Sequence, residues 1–283
     1  MSEKQVRIER FVEHIGPNTV VVQDVDRSIL KSNAFATQYV LPSLAEMYGV
    51  SNDALKIAVE AVANGTGRDV DYIEELVDWR DVNLSDAEQA KVATKVAERI
   101  LDANSINKET RDEFIAAVFD EHLLDYVKVV RRTGARMILM TAGSNLTQQI
   151  KLGVINGIIA GSIGLNVRLE WCVTPARDRA DGKKAERKAD IIARCYINGR
   201  FDAKTLRYDP AIISASDDFV KKLSSSSIDT IAIVDDKAKH LTTSDGSDKA
   251  SKLMYGLQVH AHEMPVDDKN ACIGDIVAAL RAG

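Results

Sequence analysis

Acidic residues follow two apolar segments of the chain, and their spacing suits phosphoryl chemistry. Asp24 and Asp26 come directly after one β-branched run, and Asp235 and Asp236 follow another. Several carboxylates at one place would repel one another unless a divalent cation lay between them. Mg²⁺ is a hard cation that prefers such oxygen ligands. The pattern therefore predicts a magnesium site built from Asp24, Asp26, Asp235 and Asp236.

The spacing of the first pair also indicates a mechanism. A carboxylate at Asp24 can attack phosphorus and form an aspartyl-phosphate. Asp26, two residues later, can protonate the leaving oxygen and then deprotonate the attacking water. Thr141 ends a third apolar run and would offer a hydroxyl and backbone N–H groups to a phosphoryl group. A nearby lysine would offset the charge of the transition state.

The elements that must position these residues alternate along the chain. Short apolar runs at Thr19–Gln23, Arg136–Met140 and Thr230–Val234 predict buried strands, and segments of helical periodicity lie between them. Such alternation predicts an α/β fold with a parallel sheet covered by helices. Residues 33–132 interrupt it with helical patterns only. Ligands of open parallel sheets bind beyond the carboxyl ends of the strands, where the acidic residues are expected.

In its motifs, VVVQDVDRSIL, MILMTAGSN and IAIVDDKAKH, the chain resembles the haloacid dehalogenase-like (HAD) superfamily, most of whose members are phosphatases. The resemblance implies a Rossmann-like core in residues 1–32 and 132–283, with a helical C1-type cap inserted at 33–131. Arg27 stands where many family members have glycine.

The resemblance also implies a role for each matched residue. Asp24 would be the nucleophile, Asp26 the acid/base, and Asp235 and Asp236 the magnesium group, with the backbone carbonyl of Asp26 also touching the metal. Thr141 and Ala142 would contact the phosphate. The family's third motif is a lysine that comes before IAIVDDKAKH, near the start of the helix ahead of the last catalytic strand, and it is predicted to be Lys188, with Lys184 as second choice. Either lysine lies far from Asp235 in sequence, which predicts an extra loop or hairpin between them.

The predicted function is Mg²⁺-dependent hydrolysis of a small phosphorylated metabolite, and other interpretations stay open. A phosphomutase, a phosphonatase with a cap lysine, or an inactive HAD-fold binding protein would have the same fold. The aspartates and Thr141 could be turn or cap residues, and Lys188 an exposed helix lysine. His240, His260 and His262 are expected to be structural rather than zinc ligands.

Composition excludes several classes of partner. The net charge of −5 gives no general attraction to nucleic acid or to anionic membranes. No run approaches the roughly 20 apolar residues that cross a bilayer, and the three cysteines form no CxxC pair. The N-terminal segment has no apolar stretch typical of a signal peptide. A cytoplasmic location is therefore the expectation, and the oligomeric state is left open.

Overall fold

The structure is a computed structural model of the 283-residue chain, organised around a six-stranded β-sheet. The residues that it describes are 1–55, 57, 85–105, 108–143, 145–164, 167, 169–175, 187–194, 196–197, 200–201, 214–215, 228–244, 254–265 and 267–283.

The sheet confirms the predicted α/β class. Its strands, in chain order with the separate hairpin β4–β5 included, are β1 (Thr19–Gln23), β2 (Arg136–Gly143), β3 (Glu170–Pro175), β4 (Tyr196–Ile197), β5 (Arg200–Phe201), β6 (Ser214–Ala215), β7 (Thr230–Asp235) and β8 (Met254–Gln258). The spatial order is β6-β3-β2-β1-β7-β8. β1, β2, β3, β7 and β8 are parallel, whereas β6 runs antiparallel to β3. The chain leaves β1 toward β2 and returns to its other side at β7, which makes the β1–β7 boundary a topological switch point.

β1 lies at the centre of the sheet and is buried on both faces. Each of its five residues is buried, as expected of a β-branched strand covered by helices. Val21 belongs to the hydrophobic cluster on one face, and Val20 and Val22 belong to the cluster on the other. This alternation follows from the two-residue period of a strand.

Helices cover the sheet on both faces. They are α1 (Glu3–Val12), α2 (Ser32–Phe35), α3 (Leu41–Tyr48), α4 (Asp86–Ser105), α5 (Lys108–Val118), α6 (Leu123–Arg132), α7 (Asn145–Ile163), α8 (Lys188–Arg194) and α9 (Ile273–Ala282). A π-helical turn, Ala36–Val40, joins α2 to α3, and a 3₁₀ turn, Ala238–His240, follows β7. Among the described helices, none combines the length and the apolar character needed to cross a membrane.

The described part of the predicted insertion is helical. Its elements are α2, α3, α4, α5 and α6, and its β contact is a single bridge between Leu30 and Phe119. Buried side chains of these helices, including Leu44 and Val92, belong to the same hydrophobic cluster as Val21. α6 also contacts β2 and α9. Residues 56 and 58–84 lie outside the described residues, and the division into cap and core stays a prediction.

The long separation between Lys188 and Asp235 is partly occupied by a hairpin. β4 and β5 pair antiparallel, with Tyr196 opposite Phe201. The prediction of an extra loop or hairpin in this interval is therefore confirmed, and the described element is a hairpin.

Candidate active site

The carboxyl ends of β1 and β7 bring three aspartates together. Gln23 pairs with Val234 across the two strands, and the backbone N–H of Asp24 donates to Val234 O at 2.9 Å. Because the strands end side by side, Asp24, Asp235 and Asp236 each offer a carboxylate oxygen within 4.8 Å of the others. The sequence pattern predicted this meeting of strand ends.

Lys188 is the first residue of α8 and connects two of these carboxylates. Its ammonium donates to Asp24 Oδ1 and, at 2.7 Å, to Asp235 Oδ2. The lysine is 3% exposed, so the alternative interpretation of an exposed helix lysine is wrong. Lys184, the second choice for the third motif, lies outside the described residues.

One oxygen of Asp24 is left over in this arrangement. Asp24 Oδ2 is buried and has no hydrogen-bond partner among the described residues. By contrast, Asp235 Oδ1 accepts from the backbone N–H of Lys237 at 2.8 Å. An orphaned buried acceptor is costly in a folded protein and marks a place where a ligand or ion would be stabilised.

Burial and the neighbouring charges shift the pKa values of this cluster in different directions. Burial raises the pKa of Asp24 well above its ordinary value; Lys188 opposes this rise, while Asp235 and Asp236 add to it. Burial also acts on Asp235, but Lys188 and His240 lower its pKa overall. Burial opposes the charge of Lys188, yet the two contacting carboxylates raise its pKa. The lysine is therefore charged at neutral pH.

The Asp26 carboxylate lies beside this cluster and accepts hydrogen bonds from Lys151, Ser32 and Thr141. Lys151 Nζ donates to Asp26 Oδ1 at 2.7 Å, and the Ser32 hydroxyl donates to the same oxygen at 3.2 Å. The Thr141 hydroxyl donates to Asp26 Oδ2 at 2.8 Å. Burial works against the charge of Asp26, but Lys151 and the two hydroxyls lower its pKa overall.

Lys151, like Ser32, is a residue of this site that the sequence analysis missed. It belongs to α7, is 1% exposed, and has the buried residues Leu152 and Ile155 close to it in the helix. Its signal was available in the sequence as the sole charged residue of the apolar segment IKLGVINGIIAGSI. Lysine is almost never fully buried unless it is paired.

Arg27 occupies a backbone conformation that suits glycine. Its φ is +63°, in the left-handed region that costs non-glycine residues. Two backbone bonds hold it there, because Arg27 N donates to Leu30 O at 2.8 Å and its carbonyl accepts from His262 N at 2.7 Å. Its guanidinium contacts Asp236 Oδ2 at 3.0 Å, and both side chains are largely buried. Burial raises the pKa of Asp236, against the effect of Arg27.

The histidines lie around the site without joining the acidic cluster. His240 Nδ1 accepts from the backbone N–H of Lys188 at 3.2 Å, and His262 Nε2 contacts Asp120 at 3.0 Å. His260 lines an open cavity of about 280 Å³ beside Arg27 and Asp236. Among the described residues, the group that could hold a metal contains aspartates alone.

The structure also shows the positions of Ala142, the predicted phosphate contact, and of two lysines in the predicted cap. Ala142 lies in β2 opposite Thr174 of β3. Of the lysines in the predicted cap, Lys95 contacts Glu46, and Lys128 contacts Asp125 at 3.7 Å.

The acidic cluster fits a magnesium ion by its donor chemistry. All three side chains offer carboxylate oxygens, the ligands that Mg²⁺ prefers. The orphaned Asp24 Oδ2 supplies a buried acceptor that such an ion would satisfy.

No known family profile and no curated protein sequence matches this chain. Solved structures similar to it include a haloacid dehalogenase-like hydrolase from Burkholderia xenovorans, with 13% identity, 92% of this chain and 97% of the other covered, and a TM-score of 0.40. Cytosolic 5′-nucleotidase IIIB bound to cytidine has 13% identity, coverage of 98% and 90%, and a TM-score of 0.43. The HAD-hydrolase YfnB from Bacillus subtilis, bound to magnesium, has 12% identity, coverage of 93% and 98%, and a TM-score of 0.41.

Proposed function

We propose that this protein is a Mg²⁺-dependent phosphatase that hydrolyses a small-molecule phosphate monoester through an aspartyl-phosphate intermediate. The observation that carries the proposal is the buried ammonium of Lys188 between Asp24 and Asp235, next to an Asp24 oxygen without a hydrogen-bond partner among the described residues. Burying ions in this way costs several kcal/mol per ion and is weak as a device for stability. Perturbed ionisable groups at the ends of parallel strands are instead typical of active sites.

Asp24, Asp235 and Asp236 would hold the magnesium ion, since their oxygens converge and suit this cation. When bound, the ion supplies positive charge that stabilises the phosphoryl oxygens during transfer. A cation at this position would also favour the ionised form of Asp24, whose pKa is raised by burial.

The protein residues would carry out two successive displacements. An Asp24 carboxylate oxygen attacks phosphorus, and the bond from phosphorus to the ester oxygen breaks while Asp26 gives that oxygen a proton. Asp26 then takes a proton from water, whose oxygen attacks phosphorus and releases inorganic phosphate with the Asp24 carboxylate restored. Lys188 offsets negative charge throughout.

Electrostatic effects would allow Asp26 to carry the proton that it gives to the leaving oxygen. Lys151 and the two hydroxyls hold Asp26 ionised without ligand. The anionic phosphoryl group of a substrate would act as a like charge beside Asp26 and raise its proton affinity. The hydroxyl of Thr141 would then be shared between Asp26 and the phosphoryl oxygens, with Ala142 supplying a backbone contact.

The helices of residues 33–131 would act as a cap over the core formed by residues 1–32 and 132–283. A cap of this kind excludes water during phosphoryl transfer and selects the leaving group. We therefore infer a small phosphorylated metabolite as the substrate.

The experiment is hydrolysis of 4-nitrophenyl phosphate by the purified protein in Mg²⁺ and in EDTA, with Asp24→Asn beside it. The matched control is Asp229→Asn, the same substitution at an exposed carboxylate. Activity that requires Mg²⁺, survives Asp229→Asn and disappears in Asp24→Asn supports the proposal. Wild-type inertness toward this ester and toward a broad panel of phosphometabolites would instead favour a binding protein of the same fold.

A further inference from the structure

Lys151 is buried far more completely than its catalytic neighbour. Its side chain is 1% exposed, whereas that of Asp26, its partner at 2.7 Å, is 21% exposed. The ammonium thus approaches the carboxylate from inside the protein, and the exposed edge of Asp26 faces the solvent side. This leaves Asp26 accessible to a bound ester while its other side is fixed.

Stability alone does not account for a buried lysine at this position. A buried ion pair is often matched or exceeded in stability by apolar residues of similar volume. α7 supplies such surroundings, because Leu152 and Ile155 beside Lys151 are buried. Lys151 contacts Asp26, to which the proposed mechanism assigns both proton transfers.

The donors around Asp26 also define the direction of its carboxylate. Oδ1 accepts from Lys151 and Ser32, and Oδ2 accepts from Thr141. With a donor on each oxygen, rotation about the last side-chain bond would break at least one charge-assisted or hydroxyl bond. Proton transfer requires the carboxylate within hydrogen-bond reach of the leaving oxygen, so this restraint has a catalytic consequence.

We propose that Lys151 is a positioning residue that acts through Asp26, holding its carboxylate in the direction needed to protonate the leaving oxygen. The inference rests on the proposed function, since it assigns a residue to one of its steps. It differs from the role of Lys188, which contacts the nucleophile and a predicted metal ligand rather than the acid/base.

The test uses a series of substituted phenyl phosphates, from 4-nitrophenyl to 4-methoxyphenyl, with wild type, Lys151→Met and Lys128→Met in Mg²⁺. Proton donation matters little for the acidic nitrophenol and much for the basic methoxyphenol. Lys151→Met should therefore lower kcat/KM by about 10- to 100-fold for the basic leaving group and by less than about 3-fold for nitrophenol. Lys128 forms an exposed pair with Asp125, and its substitution should leave the series unchanged.

A second comparison adds Lys151→Met to the Asp26→Asn variant. It can be made even if Lys151→Met alone does not fold. The double variant replaces both ions by neutral groups of similar size. If Lys151 acts through Asp26, adding Lys151→Met to Asp26→Asn changes kcat/KM by less than about 3-fold. An equal fall across the whole ester series, or a further large loss in the Asp26→Asn background, would overturn the inference while leaving the phosphatase intact. Wild-type inertness toward every ester would overturn the proposed function and this inference with it.

Discussion

Replacing Lys188 by methionine should destabilise the protein strongly and in a way that a second substitution reverses. Lys188 contacts Asp24 and, at 2.7 Å, Asp235, and the three side chains are at most 8% exposed. Methionine keeps the length of the side chain but leaves two carboxylates facing each other without a cation. Breaking a buried pair by removing one partner costs about 3–5 kcal/mol, a large share of the 5–15 kcal/mol typical of a domain.

The magnitude can be bounded from the carboxylates themselves. The protein can relieve the repulsion by protonating one aspartate, and for a carboxyl with the ordinary aspartate pKa of about 3.9 neutral pH lies roughly three pH units too high for this. Each unit corresponds to about 1.4 kcal/mol, so the cost is at most about 4–5 kcal/mol. Adding Asp235→Asn removes one of the two charges and should return about 1–3 kcal/mol of this loss.

The assay is urea unfolding followed by circular dichroism at neutral pH in EDTA, so that added cations do not replace the lysine. Lys128→Met is the control, because an exposed pair contributes about 0–1 kcal/mol. The reasoning would be refuted if Lys188→Met cost no more than this control. It would equally be refuted if Asp235→Asn deepened the loss.

Two further predictions concern the neighbours of the acidic cluster. Arg27→Gly removes a cation from Asp236, and glycine suits the φ of +63° at this position. Calorimetric titration of this variant should therefore give a roughly tenfold lower Kd for Mg²⁺. In Arg27→Lys, which keeps the charge, the Kd should stay near that of the wild type. An unchanged Kd in Arg27→Gly would contradict competition between this guanidinium and the metal. Burial lowers the pKa of His240 from 6.5 to about 4, and the Lys188 charge acts in the same direction. Between these two pH values the folded state therefore binds fewer protons than the unfolded state. As a result, the free energy of unfolding falls as the pH drops through this window. Between about pH 7.5 and about pH 5, the free energy of unfolding of the wild type should fall by roughly 1 kcal/mol more than that of His240→Asn, after a discount for partial exposure. Urea unfolding that shows the same loss for both proteins would contradict this prediction.

The positions of the central strands could be predicted from the sequence because their hydrophobic runs are strong. β1 begins and ends at the predicted residues, and β7 extends the predicted run by Asp235 alone. β8 is less regular and was not predicted by such a run: the strand is Met254–Gln258, and Leu257 is its one buried residue. An edge strand of this kind is fixed by pairing with its neighbour rather than by its own apolar pattern.

The residues of the site also differ in how well the sequence predicts them. Lys188 could be selected because it directly precedes an apolar helical segment, and α8 begins at this residue. The partners of Lys151 and Arg27 could not be predicted, since each contacts an aspartate more than 100 residues away in sequence. The lone charge of Lys151 in an apolar helix was nonetheless a usable signal for a buried ion pair.

The most direct test of the central claim is turnover of a phosphate ester in the presence of hydroxylamine, followed by mass spectrometry of the peptide that contains Asp24. In H₂¹⁸O, attack of water on phosphorus labels the released phosphate and leaves Asp24 unlabelled. Direct hydrolysis without a covalent intermediate gives the same labels. Trapping with hydroxylamine during turnover distinguishes the covalent route from direct attack by water, because it converts an aspartyl-phosphate to a hydroxamate. The account predicts a hydroxamate at Asp24 that requires both substrate and Mg²⁺. Turnover with labelled phosphate but with Asp24 unmodified under trapping would contradict it.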